Sequence, residues 1–279
     1  MQTTSVNGAE LCFDTFGKRG RPAILLVAGM ASSMDWWDPA FCERLASGGR
    51  FVVRYDLRDT GQSATCPPGA PDYTWSDLID DAAALLDTLG IDRAHVAGIS
   101  MGGALAQCLA LRYPARVATL TLLSTSPAVS RPPGGAELAY DSAPDEPEPR
   151  QPDWGDPEAI VDYLVAGQRR LVPHGFDATH TRAIAGAVVA RSIDVRAAAN
   201  HAQLAEGPAV TGTLSDITQP TLVIHGTDDP SFSIDHGQAL ADEIPGATLL
   251  RLDGVGHETP PARTWDVVVP AILEHTAQA

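Results

Sequence analysis

Gly98-Ile99-Ser100-Met101-Gly102-Gly103 is the stretch that decides the fold of this 279-residue chain. A G-x-S-x-G pentapeptide puts its serine on a sharp turn from a strand into a helix, where neighbouring backbone leaves no room for a Cβ at either glycine. The apolar run 94–97 precedes it and the helix-forming run 104–112 follows, which argues against a chance glycine loop. This order predicts an elbow that exposes Ser100 Oγ and aims the Met101 N–H at a developing negative oxygen.

A serine needs a base, and the base needs an orienting carboxylate. The apolar, β-branched run 221–226 predicts a strand that ends just before Asp228 and Asp229, and a further strand over 247–252 leads into a glycine loop and His257. The carboxyl ends of parallel strands share one edge of a sheet, so these groups are expected near Ser100. The alternatives are a solvated turn for Asp228 and a surface role for His257.

Alternating strand and helix patterns predict an α/β protein with a mostly parallel sheet flanked by helices. An early hairpin over 2–6 and 11–16 is expected to turn at Asn7-Gly8, a pair that accepts positive φ angles. The other elements predicted before position 124 are strands near 23–28, 51–56, 94–98 and 118–123 and helices near 38–47, 75–89 and 102–113.

The pattern changes between about 127 and 215. Prolines and acidic residues crowd 130–156 and favour a mobile acidic linker. Helical spacing follows over 157–171, 177–192 and 195–205. We therefore expect a core of 1–126 and 216–279, with 127–215 inserted as a helical cap over the site.

The cap's side chains allow functional and purely structural roles. Its apolar residues are expected to pack the cap more than to contact substrate; they include Ile160, Tyr163, Leu164 and Leu171. Its histidines lack the spacing of metal ligands and are expected to be solvated or to cap helices; these are His174, His180 and His201.

Composition is that of a globular catalytic domain with an acidic surface. The net charge of −16 argues against nucleic acid or an anionic membrane as a partner. The four cysteines have no C-x-x-C spacing, so reduced thiols are expected rather than a zinc site or a disulfide framework. The first ten residues lack the pattern of a secretory signal, and the cytoplasm is the expected location. The sequence predicts neither a metal nor a cofactor, and it does not indicate the oligomeric state.

Three stretches together resemble the α/β-hydrolases of the esterase type, and more narrowly the aclacinomycin methylesterase group. They are Arg54-Tyr55-Asp56-Leu57-Arg58-Asp59-Thr60-Gly61-Gln62-Ser63, Gly98-Ile99-Ser100-Met101-Gly102 and Gly254-Val255-Gly256-His257. The resemblance extends over most of the chain outside about 127–215. Many relatives have glycine at position 59, and the Arg-Asp-Thr-Gly form is typical of the methylesterase-like branch.

The resemblance implies a role for each matching residue. Ser100 would be the nucleophile and His257 the general base and then acid. The family pattern of Gly, two residues and Asp, counted from Gly226, selects Asp229 over Asp228 as the orienting acid.

The oxyanion hole implied by the resemblance uses the backbone N–H groups of Met101 and Met30. Most relatives have His-Gly before the second donor, whereas this chain has Ala28-Gly29. Because the donor is a backbone N–H, losing that histidine need not remove the hole, and the departure bears instead on the packing that orders the loop.

Other side chains near these motifs have two readings. Trp36 and Trp37 are equally consistent with an aromatic acyl pocket and with packing against the sheet. Asp56, Arg58 and Asp59 are expected to shape a turn.

The sequence therefore predicts a serine carboxylic-ester hydrolase that forms an acyl-enzyme, and the resemblance implies a small-molecule ester, such as a methyl ester of a polyketide-type compound. A cofactor-free perhydrolase or haloperoxidase and a carbon–carbon bond hydrolase would use the same triad on the same fold. A binding protein that kept the fold is the alternative from another class, and it would not need all three triad members. Epoxide hydrolases and haloalkane dehalogenases need Asp at the elbow, where this chain has Ser100.

Overall fold

The computed structural model describes residues 1–131, 138 and 148–277. Over these residues eight strands form one sheet in the order β1-β2-β4-β3-β5-β6-β7-β8. Only the pairs β1–β2 and β2–β4 are antiparallel. The strands are β1 (Gln2–Val6), β2 (Ala9–Phe16), β3 (Ala23–Val27), β4 (Phe51–Tyr55), β5 (Ala94–Ile99), β6 (Val117–Leu123), β7 (Thr221–Gly226) and β8 (Thr248–Leu252).

The antiparallel edge begins with the predicted hairpin, which the structure confirms. Asn7 and Gly8 have φ angles of 46° and 78°, the positive values that a tight turn between twisted strands requires. Val6 then pairs with Ala9 across the turn. The central parallel strands are buried along their whole length, which explains their continuous apolar runs.

Helices cover both faces of the sheet and close two apolar clusters. One cluster contains Leu78, Leu105 and Leu240 from three helices, and the other contains Phe41 and Trp265 from two. These five helices are α1 (Pro39–Ser47), α2 (Trp75–Thr88), α3 (Met101–Arg112), α6 (Ile234–Glu243) and α7 (Trp265–His275). The mostly parallel α/β sandwich predicted from the sequence is confirmed.

The chain between β6 and β7, which we call the insert, adds helices α4 (Pro157–Leu171) and α5 (Ala178–Arg191) close to their predicted positions. The third predicted helix is instead a 3₁₀ helix over Val195–Gln203. Most of the predicted acidic linker, at 132–137 and 139–147, lies outside the described residues. Among the described helices, none combines the length and apolar character that crossing a membrane requires.

A buried ion cluster ties the insert to the core. Arg191, at the end of α5, donates hydrogen bonds to the carboxylates of Asp35 and Asp56. The Asp56 carboxylate follows β4, is fully buried, and also accepts the backbone N–H groups of Met34 and Gln62. Because two carboxylates depend on one buried guanidinium, the position of α5 is set by charge as well as by apolar contact.

Replacing Arg191 with methionine should lower the free energy of unfolding by about 3–5 kcal/mol, because it leaves buried carboxylates without their counter-charge. Arg182→Met on the same helix is the matched control. Arg182 pairs with Glu158 and Asp162 at the surface, and its loss should cost less than about 1 kcal/mol. Urea denaturation measures both values, and equal losses would contradict the assigned role of the cluster.

Candidate active site

The turn between β5 and α3 holds Ser100 in a strained conformation. Its φ of 53° and ψ of −122° are unfavourable for a residue with a side chain. Two contacts with the neighbouring strand's end hold it there: Ser100 N–H donates to Leu123 O over 3.0 Å, and Thr125 Oγ1 donates to Ser100 O over 2.8 Å. The sequence-predicted elbow geometry is therefore present at Ser100.

The flanking glycines are required by backbone contact. A Cβ on Gly98 would lie 2.1 Å from Gly102 O, and a Cβ on Gly102 would lie 2.4 Å from Val27 O. Real Cβ atoms do not approach backbone oxygens so closely, so any other residue would force α3 away from β3 and β5.

A hydrogen-bonded aspartate and histidine lie at the same edge of the sheet. Asp229 follows β7, and its Oδ2 is 2.8 Å from His257 Nδ1. The other carboxylate oxygen accepts the backbone N–H groups of Ser231 and Phe232. Burial alone would raise the pKa of Asp229, but His257 and these donors hold that pKa below its usual value. The buried carboxylate is therefore ionised at neutral pH and accepts a hydrogen bond from the protonated Nδ1 of His257.

Asp228, the alternative acid, points elsewhere. Its carboxylate lies 3.5 Å from the exposed His174 ring and accepts the Thr227 hydroxyl. Of the two neighbouring aspartates, the structure brings Asp229 to His257.

His257 and Ser100 share one cavity. The cavity has a volume of about 570 Å³, and both residues line it. Two contacts hold His257. Its backbone N–H donates to Leu171 O over 2.7 Å, and its ring packs edge-on against the Phe232 ring with centroids 5.5 Å apart. Within the described part of the chain, neither Ser100 Oγ nor His257 Nε2 bonds to a protein group. In unliganded sites the hydrogen bond between a nucleophile and its base commonly forms or tightens only when substrate binds.

The two tryptophans after β3 divide between the two predicted roles. Trp36 is half-buried and lines the cavity, where an aromatic wall would contact a ligand. Trp37 also borders the cavity, but it is 1% exposed and stacks on Phe41 with ring centroids 6.1 Å apart, so it belongs mainly to the core.

The candidate oxyanion donors flank Ser100. Met101 opens α3 and the Ser100 side chain does not cap that helix. Gly103 N–H already donates to Ser100 O, whereas the N–H groups of Met101 and Gly102 have no acceptor among the described residues. Met30 lies on the loop after β3, next to Gly29, whose Cβ position is 3.5 Å from Ser100 Cβ. Neither the Met30 N–H nor the Met101 N–H donates to a group in the ranges that the structure describes.

The turn after β4 has the structural role predicted for it. Asp59 has a φ of 66°, and its carboxylate accepts Cys66 N–H, the Tyr73 hydroxyl and the Asn200 amide. Asn200 belongs to the insert. Asp59 at this position therefore provides a contact to the insert that glycine could not make.

One of the insert's histidines differs from its prediction. His174 is mostly exposed and His180 pairs with Asp38 at 3.1 Å, but His201 is 4% exposed, so it is neither solvated nor a helix cap. Burial lowers the pKa of His201. The expectation fails because the sequence of an amphipathic segment does not show which of its polar residues becomes buried when the segment packs against the core.

Sequence reasoning missed His225, a buried residue of β7 behind Asp229. Its Nε2 is 2.9 Å from Phe232 O and 3.7 Å from Asp229 Oδ2. Burial lowers its pKa, so the neutral ring donates to the Phe232 carbonyl and supports the loop that carries Asp229. In the sequence it is one polar residue in a buried strand, and no spacing signal distinguishes it. Among the described residues, no cluster of three or more His, Cys, Asp or Glu could hold a metal ion.

Comparison with known proteins identifies proteins that are similar to this chain in sequence and in fold. The family model described as alpha/beta hydrolase fold matches residues 22–156. Rhodomycin D methylesterase DnrP of Streptomyces peucetius is 33% identical, and the match covers 93% of each chain. A putative carbamate hydrolase, RutD of Variovorax paradoxus, is 31% identical over 88% of this chain and 89% of that one. The crystal structure of an enol-lactonase from Burkholderia xenovorans has a TM-score of 0.72 and 26% identity, with 99% of this chain and 100% of that chain covered.

Gly98→Ala should lower the free energy of unfolding by about 3 kcal/mol, because its Cβ overlaps the Gly102 carbonyl. Gly186→Ala, inside α5, is the control, since nothing lies within 4 Å of its Cβ position. It should leave stability unchanged or raise it by up to about 1 kcal/mol. Chemical denaturation compares the two, and a Gly98 variant as stable as the wild type would show that the elbow is not set by this contact.

Proposed function

The chain belongs to the α/β-hydrolase family, and from this premise we propose that it is a serine carboxylic-ester hydrolase that forms an acyl-enzyme. The observation that carries the proposal is the 2.8 Å hydrogen bond between Asp229 and His257 in the cavity that Ser100 also lines. A buried carboxylate that holds an imidazole, in a cavity also lined by a half-buried serine on a strained turn, is the arrangement that activates a hydroxyl nucleophile.

The first half-reaction transfers the acyl group to the enzyme. His257 Nε2 takes the proton from Ser100 Oγ as that oxygen attacks the ester carbonyl, and Asp229 stabilises the imidazolium that forms. The N–H groups of Met30 and Met101 donate to the tetrahedral oxyanion. The intermediate collapses when the C–O bond to the alcohol breaks and His257 gives the alcohol its proton.

The second half-reaction uses water in the place of the alcohol. His257 removes a proton from the water as its oxygen attacks the acyl carbon, and the same two N–H groups stabilise the second oxyanion. Collapse of this intermediate breaks the bond to Ser100, returns the proton to Oγ and releases the carboxylic acid. The cycle needs no cofactor.

The substrate that the site supports best is a methyl ester on a bulky polyketide-type molecule. Similarity to rhodomycin D methylesterase over 93% of the chain supports the ester class. A 570 Å³ cavity with Trp36 in its wall has room for a polycyclic acyl part beside a small alcohol. We propose that residues 127–215 of the insert act as the cap of this cavity, because α4 and α5 contribute Leu171 and His180 to its lining.

We also propose that the protein works in the cytoplasm. Its four cysteines are free thiols, and Cys12, Cys42 and Cys108 are buried. Burial raises the pKa of Cys12 to about 11 and that of Cys42 to about 12, so both remain unreactive thiols. A reducing compartment keeps thiols in this state.

A fluorophosphonate should label Ser100 and abolish hydrolysis of p-nitrophenyl acetate, because only an activated serine reacts with it. Peptide mass spectrometry locates the adduct, and Ser100→Ala should neither be labelled nor hydrolyse the ester. Absence of labelling with no hydrolysis would favour the binding-protein alternative. Labelling of Ser100 with inert esters but rapid cleavage of a vinylogous diketone would show a carbon–carbon hydrolase, and turnover only with peroxide and acetate would show a perhydrolase.

Asp229→Asn should lower kcat by about 10⁴-fold, because an amide at this position favours the wrong tautomer of His257. Asp228→Asn is the matched control one residue away, and it should change kcat less than about threefold, since Asp228 faces His174. Steady-state kinetics with p-nitrophenyl acetate measures both. A larger loss in the Asp228 variant would reverse the assignment.

A further inference from the structure

The loop that carries Met30 has an unusual conformation for its sequence. Ala31 has a φ of 55°, the left-handed region that a residue with a Cβ rarely adopts. Such a conformation costs about 1 kcal/mol or more and persists only where surrounding contacts hold it. The contacts that hold Ala31 therefore also decide where the neighbouring Met30 N–H lies.

The peptide unit between Met30 and Ala31 is held at both ends. Its carbonyl, Met30 O, accepts the Ser32 hydroxyl over 3.1 Å. Its N–H, on Ala31, donates to His201 Nδ1 over 3.1 Å. The first contact comes from within the loop, but the second comes from the insert.

The tautomer of His201 follows from its second contact. Its Nε2 lies 2.8 Å from Arg58 O, and a carbonyl can only accept, so Nε2 carries the proton. The ring is neutral when Nδ1 is an acceptor, and its burial favours the neutral form. The imidazole thus bridges two loops of the core with one donor and one acceptor.

Neighbouring contacts make His201 a fixed support. Asn200 bonds to the Asp59 carboxylate through its amide and accepts Gly69 N–H through its oxygen. Arg191, also from the insert, binds Asp35 a few residues further along the Met30 loop. The support for this loop therefore comes from the insert.

We propose that His201 is a positioning residue for catalysis, which orders the Met30 oxyanion donor by accepting the Ala31 N–H. The inference rests on the proposed ester hydrolysis, in which Met30 N–H stabilises the tetrahedral oxyanion. Docking of the insert completes the oxyanion hole, so the same segment that covers the substrate also prepares the catalytic donor.

Two substitutions of His201 separate the two hydrogen bonds. His201→Asn keeps an acceptor oxygen where Nδ1 stands and loses the donor to Arg58 O. His201→Gln places an amide nitrogen where Nε2 stands and loses the acceptor for Ala31 N–H. Each variant gives up one buried hydrogen bond, so a purely structural role predicts similar falls in thermal stability and similar kinetics.

The proposal predicts different kinetics for the pair. His201→Gln should lower kcat for p-nitrophenyl acetate by about 10- to 100-fold with little change in KM, because a misplaced donor weakens only oxyanion binding. His201→Asn should retain kcat within about threefold of the wild type. Affinity for a trifluoromethyl ketone, which forms a tetrahedral anion on the serine, should fall in the Gln variant by a factor similar to the loss of kcat.

Equal kcat values for the two variants, or a larger loss in the Asn variant, would overturn the role of His201. If the Gln variant does not fold, a kcat below one tenth of the wild-type value in His201→Asn, with Tm retained, overturns the proposal by itself. Failure of the proposed function has a different signature, since Ser100→Ala would then keep its activity or Ser100 would resist the fluorophosphonate. The two outcomes are therefore distinguishable in one set of assays.

Discussion

The candidate site depends on the close approach of backbone at the elbow. Gly102 at the start of α3 lies against the carbonyl oxygens of Val27 and Ala28, so the helix meets the end of β3 with no side chain between them. This contact sets the distance from the serine turn to the Met30 loop, and Gly29 faces Ser100 across the remaining gap. Backbone contact consequently holds Ser100 close to the loop that carries Met30, the candidate oxyanion donor.

The imidazole and carboxylate reach this unit along a different part of the sheet. Asp229 is at the end of β7, and His257 follows β8, so strand order brings them to the same edge. Backbone N–H groups satisfy one oxygen of Asp229 and leave the other for His257. The carboxylate stays ionised despite its burial because every contact it makes is with a donor. That charge is what gives the imidazole a fixed tautomer.

Polar contacts, rather than apolar packing alone, connect the insert to the core. Arg191 binds Asp35 and Asp56, Asn200 binds Asp59, and His201 joins two loops through its ring nitrogens. Hydrogen bonds require particular distances and angles, so these contacts specify one docked arrangement of the insert. Apolar packing alone would allow several arrangements. The insert is thereby held against the Met30 loop, and in our proposal its docking sets both the shape of the cavity and the position of the Met30 N–H.

The sequence by itself determined the α/β sheet, the elbow and the candidates Ser100 and His257, because strand periodicity and glycine spacing are local patterns that need no partner. The residues alone narrowed the acid to two neighbouring aspartates, and the family pattern counted from Gly226 favoured Asp229. Neither showed which carboxylate faces the histidine, since no regular periodicity fixes the direction of a side chain in a loop. Only the tertiary structure decided that Asp229 meets His257 and that His201 holds the Ala31 N–H, a contact between residues 170 positions apart. Such pairings depend on how elements dock, and no local pattern in the chain carries that information.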